Sequence, residues 1–247
     1  VKVIVSMTTI TGRLGVARKA IEGILSGTMH PDEFTLNVSH DPGVLNLGIK
    51  KLPANITELP IRVHWTADHG PATKLIPTLL EHWQDDACII VTADDDMRYP
   101  STWLERLVSE AEKTCDNVVC YRARRVSYRG DGKPERYKHW RKLQGNHYYP
   151  PAKSVLPLGV GGVAYRPRFF RDDVFDVDTM RILTPTADDL WFAATRRQDV
   201  FARVIPGGKR VRKIRNPGPK LVSMNFHGQN DIAIAALARH YGDTPWS

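Results

Sequence analysis

Short apolar runs alternate along this chain with longer stretches in which apolar residues recur every three or four positions. Residues 1–9 carry Val1, Val3, Ile4 and Val5 and predict a buried strand. Over 13–26, Leu14, Ala17, Ile21, Ile24 and Leu25 share one helical face, which Gly27 can end. EFTLNVS (33–39) alternates as a second strand, and Asp41-Pro42-Gly43 marks a turn. IRVHWTA (61–67) predicts a third strand. Leu75, Ile76, Leu79, Leu80 and Trp83 give 72–83 a helical face, with Pro77 distorting its start. ACIIVTA (87–93) is apolar nearly throughout, as suits a central strand covered on both faces. A helix over 101–113 with Ser101 as N-cap, and a strand over 117–122, follow.

This order predicts an α/β fold: a mostly parallel central sheet with helices on both faces. After about residue 123 the regularity fades. Residues 127–155 are polar, basic and aromatic without a clear period, before strand-like VGGVAYRP (160–167) and a helix near 187–198. The expectation is one domain over 1–247, with a nucleotide-binding half (1–123) and an acceptor-facing half (124–247).

Charge sharpens this picture. The net charge is +8, but segments 122–142 and 196–215 each carry a local +7, which leaves the remainder at −6. Two basic segments on a mildly acidic body point to an anionic partner, namely nucleotide phosphates, an acidic lipid surface or nucleic acid; their plain alternative is solvated loops. Cys88, Cys115 and Cys120 form neither a disulfide framework nor a zinc pattern, so the expected setting is reducing and cytoplasmic.

The densest chemistry follows the most hydrophobic strand. Ligands of open α/β sheets bind at the carboxyl ends of strands, where Asp94, Asp95 and Asp96 fall. Three adjacent carboxylates repel one another unless something cationic sits there. A hard divalent ion, Mg²⁺ or Mn²⁺, takes oxygen ligands and bridges to phosphates. An isolated run of aspartates reads more readily as a solvated turn that caps the following helix; the position after a central strand favours a metal–phosphate site.

The segment VTADDDMRYPSTWLERL resembles the donor-site motif of GT-A glycosyltransferases, and is especially similar to bacterial family-2-like enzymes of surface-polysaccharide synthesis. Three further segments agree: VIVSMTTITGRL with the first strand and base-contacting loop, LGVGGVAYRP with the acceptor-facing glycine strand, and TADDLWF with the acidic motif of inverting members. The resemblance implies a GT-A, Rossmann-like fold and metal-dependent sugar transfer from a nucleotide-sugar donor, UDP-sugar favoured, to a glycan or lipid-linked acceptor, with inversion. It implies Asp94, Asp96 and the late His227 for the metal. It implies Thr8, Arg13, Asp41, Lys74, Asp94 and Asp95 for the nucleotide-sugar, Gly161 and Gly162 for the acceptor, and Asp189, seconded by Asp188, as catalytic base. Peripheral contact with an anionic inner leaflet is the expected membrane role, and nucleic acid is not an expected partner.

The same residues carry plainer readings. Asp188 and Asp189 suit a helix start, with Thr186 as N-cap. Gly159, Gly161 and Gly162 suit a bulge in an edge strand. Trp103, Trp191 and Phe192 suit core packing, and His139, Trp140, His147, Tyr148 and Tyr149 suit either loop anchoring or sugar stacking. Two other functions compete. A sugar-nucleotide nucleotidyltransferase would share the fold, but TTITGRLG lacks that class's glycine-rich basic loop. A basic nucleic-acid-binding protein would use the charged segments, but no recognised module is visible.

Overall fold

In the computed structural model, which describes residues 1–43, 46–215, 228–242 and 245–246, β1 (Val3–Thr8) lies between β2 (Glu33–Val38) and β4 (Ile89–Asp94), parallel to both. The chain leaves β1 through α1 (Leu14–Leu25) and returns in β2; β3 (Arg62–Trp65), reached past the single turn α2 (Ala54–Thr57), adds on the outside. A short 3₁₀ segment, Gly70–Lys74, and α3 (Ile76–Glu81) then lead back to β4. Pro77 sits in the first turn of α3, where its missing N–H costs nothing.

Beyond β4 come β5 (Met97–Arg98), α4 (Trp103–Lys113), β6 (Asn117–Cys120), β7 (Ala123–Arg125), β8 (Arg141–Leu143), β9 (Tyr149–Ala152), β10 (Val155–Pro157) and β11 (Val163–Tyr165). Helices α5 (Val177–Leu183) and α6 (Asp188–Ala194), strands β12 (Phe201–Val204) and β13 (Arg212–Lys213), and α7 (Asn230–Tyr241) complete the described chain. The main sheet runs β3-β2-β1-β4-β11-β6-β12-β9; β10-β7-β8 form a second sheet, and β13-β5 a small ribbon. The main sheet is mostly parallel, with β11 antiparallel to both neighbours and β9 antiparallel to β12. The α/β class with helices on both faces is therefore the observed one.

Alternation along the central strands divides the interior in two. Val5, Met7, Ile89 and Val91 pack on one face with α1 and α4, through Ile21, Ile24, Leu104 and Leu107. Ile4 and Ile90 pack on the other with α3, α6 and α7, through Leu79, Trp191 and Leu237. Because every second residue changes face, an apolar run such as IIVTA needs cover on both sides.

Several sequence expectations need correction. The irregular stretch 127–155 contains β8 and β9, each too short to show a period. The strand expected over 160–167 shrinks to Val163–Tyr165, preceded by a 3₁₀ turn, and is interior rather than at an edge. Neither Ser101 nor Thr186 caps a helix: the capping positions are Thr102 and Ala187, with no side-chain cap bond at either. Trp103, Trp191 and Phe192 are core residues.

Gly161 and Gly162, just before β11, lie close against neighbouring side chains. Gly162 has φ +95°, and a Cβ there would lie 2.5 Å from the Trp103 ring. Trp103 Nε1 in turn donates to the Gly161 carbonyl at 2.8 Å. Gly162→Ala is expected to destabilise the fold by about 3 kcal/mol, summing backbone strain and overpacking. Urea unfolding measures this; a loss below about 1 kcal/mol would show that the indole can move aside.

Candidate functional site

The β1–β4 register sets Thr8 opposite Asp94, so both strands end level. In front of these ends opens a cavity of about 560 Å³, within the usual range for small-ligand sites. Thr8, Arg13, Lys74 and Asp94–Asp96 line one part of it, and Asp188 and Asp189 from the start of α6 line another.

Each aspartate of the run meets a different partner. Asp94 Oδ1 accepts from Lys74 Nζ at 3.0 Å. Its backbone is pinned by the motif's aromatic: the Asp94 N–H donates to the Tyr99 hydroxyl at 2.7 Å, and that hydroxyl donates to the Asp94 carbonyl at 3.2 Å. Asp95 uses both oxygens, accepting from Thr9 Oγ1 at 2.7 Å and from Arg13 at 3.0 Å. Burial pushes the Asp95 carboxyl up to about 6, against the pull of Arg13 and Thr9. Asp96 faces Lys213 at 3.1 Å and Arg13 at 3.8 Å. Lys213 is held there by the β13–β5 ribbon.

Lys74 joins the two acidic groups. Its Nζ lies 3.0 Å from Asp94 and 3.1 Å from Asp188, with little exposure. Burial alone would lower its pKa, but Asp188, Asp94 and Asp189 outweigh that and hold it well above the usual lysine range. A buried polar cluster fixes the segment beneath: Ser6 Oγ donates to the Lys74 carbonyl at 2.6 Å and lies 2.7 Å from Thr78 Oγ1, and Asn37 donates to both hydroxyls.

Asp189 Oδ1 accepts from the Gly159 N–H at 2.9 Å. Burial, then the adjacent Asp188, push its carboxyl up to about 7; Lys74 and the Gly159 amide pull the other way. A Cβ on Gly159 would fall 2.7 Å from Lys74 Nζ and 3.3 Å from Asp189, so a larger residue would have to push the lysine ammonium aside.

Other expected site residues lie elsewhere. Asp41 is exposed on the loop after β2, outside the cavity lining. Asp68 lines the cavity instead, its carboxylate accepting from Gly70 N at 2.6 Å and Asn46 Nδ2 at 3.0 Å. Gly161 and Gly162 face Arg122, Tyr121 and Trp103, while Leu158 and Val160 provide the cavity wall. His227 falls outside the described residues. Arg122, Arg124, Tyr137, Asn46, Asp68 and Lys213 are lining residues that the sequence reading did not single out.

The carboxylates can be tested against a divalent ion. No three metal-ligating groups in the cavity bring their atoms within 4.8 Å of one another among the described residues. The trio that does converge, Glu33, Glu81 and His82, lies at the start of β2, with Lys2 and Arg62 already on Glu33. Asp95 is fully engaged, whereas Asp94 and Asp96 each keep one oxygen without a hydrogen-bond or ion-pair partner among the described residues. Two carboxylates plus substrate phosphates is a common way to hold Mg²⁺, and this pair fits it.

The family model described as Glycosyl transferase family 2 matches residues 64–178, somewhat under half of the chain, from the end of β3 into α5. Lys74, Asp94–Asp96 and Gly159 all fall inside that match, so the segment that holds them is similar to family 2 glycosyltransferases. No curated protein matches the sequence. Among solved structures the chain is similar to 4-diphosphocytidyl-2C-methyl-D-erythritol synthase, at 13% identity and a TM-score of 0.49, over 96% of this chain and 99% of that one. It is also similar to S. aureus TarS 1–349, at 10% identity and a TM-score of 0.46, over 83% of this chain and 60% of that one. No helix among the described residues is long and apolar enough to cross a membrane.

Proposed function

We propose that this chain moves a glycosyl group from a nucleotide-sugar to an acceptor hydroxyl by a single inverting displacement. The observation that carries the reading is that one cavity brings the Asp94–Asp96 run together with Asp188 and Asp189, Lys74 bridging Asp94 to Asp188. The acceptor oxygen attacks the anomeric carbon as the bond from that carbon to the diphosphate oxygen breaks. The bonding pair leaves with the diphosphate, and the hydroxyl proton passes to the Asp189 carboxylate. The Gly159 amide orients Asp189 for this role, and Lys74 fixes Asp188 beside it.

Asp94 and Asp96 would hold Mn²⁺ or Mg²⁺, which supplies charge stabilisation for a departing diphosphate. Arg13 and Lys213 keep Asp95 and Asp96 in place before the donor arrives. The cation-rich side of the cavity, with Arg122 and Arg124, suits phosphate oxygens.

Thermal-shift measurements against UDP-, GDP-, CMP- and dTDP-sugars, with and without Mn²⁺, test the reading. The native chain is expected to be stabilised by one donor class, UDP-sugars foremost, only when the ion is present. Asp96→Ala is expected to lose that stabilisation and all transfer while unfolding as the native chain does. Full transfer in excess chelator would remove the ion from the mechanism.

A further inference from the structure

The second sheet carries an unusual arrangement of charge. In the β7–β8 pair Arg124 stands opposite Lys142, and Arg125 opposite Arg141. Like charges directly across an antiparallel pair are destabilising. Basic residues on an edge strand do discourage sheet-to-sheet pairing, which accounts for Arg141 and Lys142 on β8. It does not account for arginines facing them on the inner strand β7.

Little negative charge answers these cations. Arg124 donates to the Tyr137 and Trp140 carbonyls and lies over the Tyr137 ring, so its charge meets dipoles rather than an acid. Around it, Arg125, Lys133, Arg136, Lys138, Arg141 and Lys142 have no carboxylate within ion-pair distance among the described residues. All but the half-buried Arg125 are exposed. The local pairs that do form are Arg129–Asp131 at 3.1 Å and the weaker His139–Glu135 at 3.5 Å.

This positive region continues into the reaction cavity. Arg122 and Arg124 line it together with Asp189, and Arg122 donates to the Gly208 and Val211 carbonyls, again without an acid. Residues two apart on a strand share a face, so the cavity's Arg124 row continues across the pair to Lys142. The neighbouring Arg125–Arg141 row belongs to the opposite face. A flat anionic surface would meet only one of these rows, whereas a flexible chain can follow both and still reach the cavity.

We propose that the acceptor is a hydroxyl-bearing chain with repeating phosphate groups, which lies along the β7–β8 ribbon and enters the cavity past Arg122 and Arg124. This rests on the glycosyl-transfer reading above and names the substrate class of the same site. The phosphates would relieve the cross-strand repulsion, and each contact would release counterions, which makes binding salt-dependent.

Short-chain inorganic polyphosphate is the probe, with donor binding measured in parallel on the same preparations. The native chain should bind polyphosphate, with affinity falling as salt rises. Arg141→Glu/Lys142→Glu should weaken binding by about tenfold or more, as loss of a steering patch does, with donor affinity unchanged. Lys133→Glu/Lys138→Glu, at exposed positions that leave the fold alone, should weaken it in the same direction. Donor binding with polyphosphate affinity untouched by both pairs overturns the acceptor assignment and leaves glycosyl transfer standing. Failure to bind any nucleotide-sugar overturns both. Tighter binding at equal charge to phosphatidylglycerol vesicles, or to a single-stranded oligonucleotide, overturns it in favour of a membrane or a nucleic acid.

Discussion

Asp189→Asn is expected to cut turnover by roughly 10²–10⁴-fold, the scale of a lost general base, while donor affinity stays near native. The substitution keeps the side chain's size and an oxygen able to accept from the Gly159 N–H, so the α6 start should hold its shape. It removes the negative charge that must receive the acceptor proton. The native carboxyl is raised to about 7, so turnover should climb as pH rises towards 7 and level off above it. Asp188→Asn should do less, because Asp188 acts through its 3.1 Å contact with Lys74. NMR of the isolated product should show the anomeric configuration inverted relative to the donor. A retained anomer, or near-native turnover in Asp189→Asn, would take Asp189 out of this role.

Lys74→Met is expected to destabilise the chain by about 3 kcal/mol, the lower end of the cost of stripping one partner from a buried ion pair. The lower end applies because Asp94 keeps 25% of its side chain exposed. The loss should depend on pH in a definite direction. In the native chain Asp189 binds its proton up to about 7, against an ordinary value of 3.8, so the folded state holds the extra proton between those values. Stability contributed by that group therefore falls as pH rises from about 4 to about 7. Without Lys74, Asp94, Asp188 and Asp189 face one another unscreened, and the decline should steepen. Urea unfolding at pH 5 and pH 8 reads this directly: the deficit should be larger at pH 8. An equal deficit at both would mean that the lysine stem's packing, not its charge, matters.

What the sequence revealed follows from how local each feature is. IIVTA followed by three aspartates is legible because a strand covered on both faces must be apolar, and its end is where an open sheet binds ligands. Amphipathic α1 and α4 are legible for the same reason, being long enough to show a period. Asp68 was not: two loop aspartates, Asp41 and Asp68, look alike until Asn46 and Gly70 are seen holding one of them at the cavity. Lys74 was visible as a candidate but not as a link, because Asp94 and Asp188 lie 20 and more than 100 residues away in sequence. Strands of three residues, such as β7, β8 and β10, carry too few alternations to stand out against a basic, aromatic background.

The placement of β11 has a consequence for synthesis. Strand β4 receives β1 on one side as soon as the first hundred residues exist, but its other neighbour is residues 163–165. Until those emerge, the most apolar strand of the chain waits with an open edge, and β6, which also flanks β11, waits with it. An uncovered apolar edge is a template for pairing with another chain. The ribosome therefore releases the two edges well before the strand that closes them, and the interval is a window for chaperone capture or for misassembly between nascent copies.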